Sequence, residues 1–203
     1  MRDRLRARLH RLRPHTVQVG QARLWVPPGV LDPVLFRSGA WFARHIARRV
    51  RPGERLLDLG CGSGVVGVLA QIAGARVTAS DINPQATAAA RRNGVVDARQ
   101  GDLLEPVHGE RFDRICFNPP YFCGPISDRG HDRALYGGPG LEVMHRFLAA
   151  MPAHLTPGGE GWMVLSERAP DALHLAASAG WDCAVEEVVS GERLSAWCAS
   201  RLR

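Results

Sequence analysis

RLLDLGCGSGVV, at residues 55–66, decides the fold of this chain because it joins a short apolar strand to a helix through a glycine-rich loop. Gly60, Gly62 and Gly64 stand where the predicted strand ends. Glycines in such a turn let the backbone bend sharply and approach a ligand beside the first turn of the helix. The loop alone is a weak signal, since it can equally serve close packing of a strand against a helix.

From residue 55 onward, predicted strands and helices alternate along the chain. Two last strands are predicted on either side of Ser190-Gly191. This order predicts an α/β, Rossmann-like sheet of seven strands that is mostly parallel, with helices on both faces and an antiparallel edge strand. The other apolar strand patterns cover 55–60, 76–81, 95–102, 112–118 and 159–167.

Residues 1–50 are predicted to form a lead-in to a core of residues 51–203. A hairpin is expected at 16–26 and a helix at 35–50, joined by the proline-rich PPGVLDPV. Residues 1–13 hold six Arg and one Asp, so they carry +5 of the formal net charge of +6. Two readings stay open for this basic segment: contact with RNA phosphates, or a solvated helix that packs its leucines on the body.

The composition is that of a soluble globular protein, with 45% hydrophobic and 23% charged residues. No apolar run reaches the roughly 18 residues that a membrane span needs. The N-terminal stretch also lacks the apolar core of a secretory signal, so we expect a cytoplasmic protein without membrane contact. Five cysteines without a CxxC pair argue against a zinc site and against a disulfide framework.

Carboxylates accompany the first three predicted strands of the core. Asp58 stands two residues before Gly60, Asp81 ends the second strand and Asp102 ends the third. In open parallel sheets ligands bind at the carboxyl ends of the strands, where Asp81 could accept both hydroxyls of a ribose. A dinucleotide enzyme fits less well, because Val65 occupies the last glycine position of G-x-G-x-x-G, and Asp58 would repel a pyrophosphate but attract an ammonium or a sulfonium.

CFNPPYF, at residues 116–122, follows the fourth predicted strand and so faces the same edge as the glycine loop. The Asn118 side-chain oxygen and the Pro119 carbonyl can each accept an N–H bond from a planar amine or amide, and the prolines hold these acceptors rigidly. Tyr121 and Phe122 offer faces on which a flat substrate can stack. A proline-stiffened turn without a chemical role is the alternative interpretation.

In this order and spacing, the motifs resemble a class I S-adenosylmethionine-dependent methyltransferase. The resemblance covers residues 55–166 and implies S-adenosyl-L-methionine as cofactor, with its ribose on Asp81 and its adenine amino group on Asp102. It implies catalytic roles for Asn118, Pro119 and Tyr121, and substrate binding by Pro120, Tyr121 and Phe122. The cofactor residues that it implies are Asp58, Gly60, Cys61, Gly62, Gly64, Asp81, Ile82, Asp102, Leu103 and Asn118.

Two more stretches resemble the HemK/PrmC branch of protein-glutamine methyltransferases. ALYGGPGLEVMHRFL at 134–148 is similar to the segment that follows N-P-P-Y there, and 26–46 is similar to the lead-in of small methyltransferases, with Ser38 where Thr or Ser is expected. Phe122 replaces the usual aliphatic residue. About 50 residues precede the core, too few for the N-terminal helical domain of the bacterial enzymes, so the resemblance is to the short archaeal and eukaryotic type, which uses a small activator subunit.

The resemblance implies methylation of a planar nitrogen, and our first hypothesis is the side-chain amide of a glutamine in a translation release factor. A small-molecule N-methyltransferase is the second, with Tyr121 and Phe122 stacking on a heteroaromatic ring. An RNA or DNA exocyclic-amine methyltransferase, anchored by the basic N-terminus, is the third. A cofactor-binding regulatory protein without transfer activity is the fourth, which an intact Asn118 disfavours.

Overall fold

The computed structural model describes residues 13–126 and 130–200. Its first elements are a hairpin of β1 (His15–Val19) and β2 (Ala22–Val26), as predicted, and a helix, α1 (Ser38–Ala47). The Arg-rich segment, for which RNA contact or a packed helix was predicted, lies almost entirely outside the described residues.

A seven-stranded sheet with the strand order β5-β4-β3-β6-β7-β9-β8 carries the core. Strands β3 to β7 pair in parallel, whereas β9 runs antiparallel between β7 and the edge strand β8. The predicted fold class is therefore confirmed. The strands are β3 (Arg55–Leu59), β4 (Arg76–Asp81), β5 (Asp97–Gln100), β6 (Phe112–Phe117), β7 (Leu155–Ser166), β8 (Asp182–Val189) and β9 (Glu192–Ser200).

Helices connect the strands, and the helix Pro84–Arg92, α3, shows how the sequence determines where a helix begins. The Asn83 side chain accepts a hydrogen bond from Gln85 N at 2.9 Å, and Pro84 occupies the first helical position. The first turn of a helix leaves backbone N–H groups without partners. Asn83 supplies an acceptor for one of them, and Pro84 has no N–H group that would need one. The helices after α1 are α2 (Val65–Ile72), α3 (Pro84–Arg92), the single turn α4 (Gly130–Arg133), α5 (Glu142–Ala150) and α6 (Pro170–Ser178), with 3₁₀ turns at Glu105–Val107 and Met151–His154.

Three element boundaries differ from the predicted ones. Helix α1 begins at Ser38 rather than at residue 35, because the Asp32 carboxylate accepts from two backbone N–H groups of a turn and Arg37 has a positive φ of 52°. The apolar spacing of GLEVMHRFLAAMPAHL, at 140–155, predicts one continuous helix, but the helix ends at Ala150 and continues as a 3₁₀ turn into a longer β7. Strand β5 ends at Gln100, so Asp102 lies in the following turn instead of ending the strand.

Alternate residues of the central strands face two separate cores. Leu56, Cys116 and Val164 pack with the hairpin, α1 and α2 on one face. Leu57 and Ile115 pack with α5 and α6 on the other. This period-two alternation explains the continuous apolar strands and covers both faces of the sheet.

The hairpin and α1 share the first core with the central sheet. Leu24 and Phe42 are fully buried in one cluster with Leu56 of β3. The division into a lead-in of residues 1–50 and a core of residues 51–203 therefore stays a prediction. Side chains from both sides of residue 50 pack in one continuous core. Among the described residues, no helix combines the length and apolarity that crossing a membrane requires.

The ends of β3, β4 and β6 meet at the point where the strand order reverses. From β3 the chain proceeds outward through β4 to β5, and then returns to β6 on the other side of β3. Leu59 pairs with Ser80 of β4 and with Phe117 of β6. Residues that directly follow these strands are thus neighbours, at the position where open α/β sheets bind their ligands.

Candidate active site

A cavity of about 620 Å³ opens above the carboxyl ends of β3, β4 and β6. Its size suits a small-molecule site. It brings together every residue that the sequence singled out for the site except Gly64. The predicted residues that line it are Asp58, Gly60, Cys61, Gly62, Asp81, Ile82, Asp102, Leu103, Asn118, Pro119, Pro120, Tyr121 and Phe122.

The glycine loop uses its glycines in two different ways. Gly60 has a φ of 62°, and a Cβ there would lie 3.0 Å from the Phe117 ring, so only glycine fits beside the cavity. Gly64 has a φ of 77° and precedes α2, where a Cβ would lie 3.0 Å from the Cβ of Ala90. The close approach of Gly64 thus packs the loop against α3, and its predicted contact with the cofactor stays a prediction.

Asp81 ties the glycine loop to the end of β4. Its Oδ2 accepts from Gly62 N at 2.9 Å and its Oδ1 accepts from Asn83 N at 2.9 Å. Burial raises the pKa of Asp81, and these two backbone hydrogen bonds oppose that rise. Each carboxylate oxygen can accept a second hydrogen bond, so the group keeps capacity for a ligand hydroxyl.

Asp58 is an almost fully buried acid in the wall of the cavity, with 3% of its surface exposed. Its Oδ2 accepts from Gly67 N, in the first turn of α2, at 2.9 Å. Burial raises the pKa of Asp58 to about 8, the Gly67 bond lowers it, and the Asp81 charge raises it further. The carboxyl group is therefore mostly protonated at neutral pH until a cation approaches it.

Asp102 has a partner that the sequence did not reveal. Arg146 of α5 donates from Nη2 to Asp102 Oδ2 at 2.8 Å, and both side chains line the cavity. Leu103, the next residue, has a left-handed φ of 48°, and Ser80 Oγ donates to its carbonyl oxygen at 3.4 Å. Arg146 of α5 thus occupies one oxygen of the Asp102 carboxylate, which was predicted to bind the adenine amino group.

The Asn118 amide is held at one end and left without a partner at the other. Its Nδ2 donates to Ser38 Oγ at 3.4 Å. Its Oδ1 is buried and accepts no hydrogen bond from the described residues. A buried carbonyl oxygen without a donor is costly, so this atom marks a position for a ligand N–H or O–H group.

The two aromatic residues after the prolines form an edge-to-face pair. The rings of Tyr121 and Phe122 have centroids 5.0 Å apart and an interplanar angle of 61°. Burial raises the pKa of Tyr121, and a hydrogen bond from Ser38 partly offsets this rise.

The ALYGG stretch fixes this aromatic segment in place. Phe122 N donates to Leu135 O, and Gly137 N donates to Phe122 O, both at 3.0 Å. The segment that resembles the HemK branch therefore braces N-P-P-Y through the backbone.

The lead-in forms part of the wall of the cavity. His15 Nε2 lies 2.9 Å from Asp32 Oδ2, which joins β1 to this wall. Asn83 Nδ2 donates to Gly29 O at 3.2 Å and joins the same wall to α3. The resemblance of this stretch to the lead-in of small methyltransferases did not identify Asp32, 6% exposed, as the residue that orders it.

The mouth of the cavity carries charged residues that no sequence motif marks. Arg168 and Glu192 lie 3.6 Å apart there, and Arg133 also lines the cavity and acts electrostatically on Asp81. These residues come from elements far apart in the chain, so only the fold brings them together.

Other reactive groups lack the setting of catalysts. Burial raises the pKa of Cys61 and of Cys116 well above the ordinary thiol range, which leaves both as neutral thiols. Within 13–126 and 130–200, no three His, Cys, Asp or Glu side chains gather as metal ligands would.

Fold and cavity together define the class of protein: an S-adenosylmethionine-dependent methyltransferase with a Rossmann-like sheet. The family model described as methyltransferase small domain matches residues 37–180. The chain belongs to this family, and the predicted methyltransferase resemblance is confirmed.

Individual relatives act on different substrates. A release factor glutamine methyltransferase from Deinococcus radiodurans is 36% identical over 197 residues, which cover 86% of this chain and 68% of the relative. A ribosomal RNA small subunit methyltransferase C from Chromohalobacter salexigens is 38% identical over 112 residues, which cover 53% of this chain and 30% of the relative. The chain thus spans about two thirds of the first relative and less than a third of the second.

Among solved structures, a T. thermophilus 16S rRNA N2 G1207 methyltransferase in complex with AdoMet and guanosine superimposes with a TM-score of 0.65. The match covers 94% of this chain and 50% of that one, at 19% identity. At this identity the likeness shows a shared fold.

Proposed function

We propose that this methyltransferase transfers a methyl group to the side-chain amide nitrogen of a glutamine in a protein, with a translation release factor as the first candidate. The observation that carries the proposal is the buried Oδ1 of Asn118, a residue that lines the cavity, because this oxygen has no hydrogen-bond donor among the described residues. An amide NH2 supplies that donor. The 36% identity to a release factor glutamine methyltransferase supports the same substrate class.

The residues of the cavity fit S-adenosyl-L-methionine, which when bound supplies an electrophilic methyl group on a sulfonium. Asp81 would accept the ribose hydroxyls through its remaining lone pairs, and the Asp102 oxygen not held by Arg146 would accept the adenine amino group. Asp58, which has few polar partners, would be ionised by a nearby cation. Wall contacts would come from Gly60, Cys61, Gly62, Ile82 and Leu103.

Asn118 and Pro119 would hold the accepting nitrogen. An amide nitrogen is a poor nucleophile because its lone pair is delocalised, so alignment and charge stabilisation matter most. The Asn118 oxygen would accept one N–H bond and the Pro119 carbonyl the other, and both bonds strengthen as positive charge develops on the nitrogen. The rings of Tyr121 and Phe122 would stack on the substrate amide and keep its plane in one orientation. Pro120 stands in the chain between the acceptors and these rings.

The charges at the mouth support an uncharged acceptor group. Arg168 lies beside Glu192, Arg146 is bonded to Asp102, and Arg37 Nη1 donates to Ser190 O at 3.0 Å. Binding to a phosphate backbone draws instead on cations that are available to the ligand. The pairing of Arg168 and Arg146 with carboxylates favours an amide over a nucleotide.

A second cavity supports a polymer over a small amine as the substrate. It measures about 400 Å³ and shares Tyr121, Phe122 and Tyr136 with the first. The shared aromatic wall leaves room for groups on either side of the methylated residue. A free small molecule would not need this space.

The second candidate function is methylation of an exocyclic amine in RNA. The 38% identity to a ribosomal RNA methyltransferase favours it, and the basic N-terminal stretch would supply phosphate contacts. Asn118 would hold such an amine through the same oxygen.

Labelled S-adenosyl-L-methionine separates these functions. The purified protein is incubated with the labelled cofactor and a cell extract, and label is then counted in the protein, RNA and small-molecule fractions. Label in protein that resists ribonuclease is the expected result, and an Asn118→Ala variant gives the background. Label confined to RNA or to small molecules would contradict the glutamine proposal.

A further inference from the structure

We propose that Ser38 is a positioning residue that orients the Asn118 amide, so that its oxygen and not its NH2 group faces the accepting nitrogen. This inference rests on the proposed N-methylation, because only an N–H-bearing substrate requires an acceptor at this position. It assigns a role in the reaction to a residue of the lead-in, which lies directly against N-P-P-Y.

The orientation of the Asn118 amide decides whether the site can bind an amine. With Oδ1 toward the cavity, the side chain accepts a substrate N–H bond; with Nδ2 there, two donors would face each other. The backbone does not distinguish these orientations, because the two ends of the amide have nearly the same shape. A neighbouring group must therefore select one of them.

The Ser38 hydroxyl makes that selection through two contacts. Its Oγ lies 3.4 Å from Asn118 Nδ2 and accepts from it. Because Asn118 Nδ2 is the donor in this contact, Ser38 Oγ is the acceptor, and its single proton is left for the Tyr121 side chain, with which Ser38 is also hydrogen-bonded. This arrangement places Nδ2 toward Ser38 and Oδ1 away from it.

Ser38 is itself held rigidly. It is 4% exposed and is the first residue of α1, whose Phe42 and Ile46 are fully buried in the core. The preceding residue, Arg37, has a φ of 52°, so the chain enters the helix through a sharp bend. A hydroxyl on a packed helix can fix a partner side chain more firmly than one on a mobile loop.

The contact predicts a selective defect when the hydroxyl is removed. Ser38→Ala leaves the amide able to rotate, so kcat should fall about tenfold, the equivalent of one neutral hydrogen bond, while KM changes little. The Kd for S-adenosyl-L-methionine should stay within about twofold of wild type, since the hydrogen bond lies outside the glycine loop. Ser38→Thr keeps the hydroxyl and should recover most of the rate.

The test compares Ser38→Ala and Ser38→Thr with Ser195→Ala, which removes another buried hydroxyl, 3% exposed and on β9. Cofactor Kd is measured by calorimetry, and kcat and KM are measured on the substrate that wild type labels. The ¹⁵N–¹H resonances of the Asn118 side-chain amide, assigned by their loss in Asn118→Ala, report its orientation without any substrate. We expect them to shift in Ser38→Ala and to return in Ser38→Thr.

Equal kcat in wild type and Ser38→Ala would overturn the role of Ser38, as would a Ser38→Thr variant as slow as Ser38→Ala. Unchanged Asn118 amide resonances in Ser38→Ala would overturn it as well. Failure of the proposed substrate gives a different result, because wild type would then label no glutamine. The amide resonances and the kcat ratio on the true acceptor still decide on Ser38 in that case.

Discussion

Gly137 lies against the carbonyl oxygen of Pro120 so closely that a Cβ at this position would stand 2.2 Å from it. No left-handed backbone requires glycine here, so the reason for glycine is the close approach alone. The contact lets the ALYGG stretch lie alongside N-P-P-Y and bond to Phe122. One missing side chain thus helps to set the position of the Pro120 carbonyl, next in the chain to the proposed Pro119 acceptor.

Gly137→Ala should slow methyl transfer while cofactor binding stays nearly normal. The added methyl group must move the Pro120 carbonyl, and a small misplacement near the reacting atoms can cost about a hundredfold in rate. Steady-state kinetics and calorimetry measure the two effects. Gly140→Ala is the matched control, because its Cβ would meet only the flexible Glu142 carboxylate, at 3.2 Å.

Asp58 should make the ligand-free protein less stable as the pH rises. Burial raises its pKa from 3.8 to about 8, so folding favours the protonated form. The stabilisation is complete below about pH 4 and is lost progressively as the pH rises to about 8. The side chain of Asp58→Asn cannot ionise, so the variant should lose less stability as the pH rises. At pH 8 its loss of unfolding free energy should be smaller than that of wild type by at least about 1 kcal/mol. Urea unfolding at pH 5 and pH 8 measures the difference, and parallel losses in both proteins would refute the assignment.

His45 should make the protein sensitive to acid. It lies between Trp41 and Trp162, with ring centroids 5.5 and 5.2 Å away, and its Nε2 is buried without a partner among the described residues. Burial, aided by nearby arginines, lowers its pKa from 6.5 to about 4. Folding thus favours neutral His45, and the resulting stability, complete above about pH 6.5, is lost as the pH falls to about 4.

Thermal unfolding between pH 7 and pH 4 tests this account of His45. His45→Gln should lose less stability over that range than wild type, because its side chain has no proton to gain. His174→Gln is the control, since His174 is exposed on α6. If His45→Gln follows the wild-type pH profile, the acid sensitivity arises elsewhere.

Asp81 should contribute strongly to cofactor affinity. Asp81→Asn can accept from only one of the two backbone N–H groups that the carboxylate now binds, and it loses the charge-assisted bonds to a ribose. The Kd for S-adenosyl-L-methionine should rise about 10- to 100-fold. Calorimetry measures it, with Asp182→Asn on the exposed edge strand β8 as control. An unchanged Kd in Asp81→Asn would show that the ribose lies elsewhere.

Most of the fold was predictable because local patterns and topology agree. The alternation of strands and helices requires a parallel sheet covered on both faces, and the Asn83-Pro84 cap sets the start of α3. The start of α1 was missed because apolar spacing alone was followed to Leu35, whereas Asp32 holds a local turn through two backbone N–H groups and Arg37 has a positive φ. Propensity alone extends such a helix to the first apolar residue.

The candidate site was predictable only where it follows strand ends. Asp81 and Asn118 line the same cavity because β4 and β6 both flank β3. The motif did not reveal that Gly64 also packs closely against Ala90, because that contact forms only when α3 folds onto the loop. Arg146 and Glu192 could not be foreseen, because an arginine on a helix or a glutamate at a strand start is usually a solvated surface residue.

Mass spectrometry of a purified translation release factor, treated with this protein and S-adenosyl-L-methionine, tests the central claim most directly. The account predicts the mass gain of one methyl substitution on a single glutamine side chain, present with wild type and absent with Asn118→Ala, although that variant binds the cofactor within a few-fold of wild type. An unmodified factor, a methyl group on another residue type, or full activity of Asn118→Ala would contradict it.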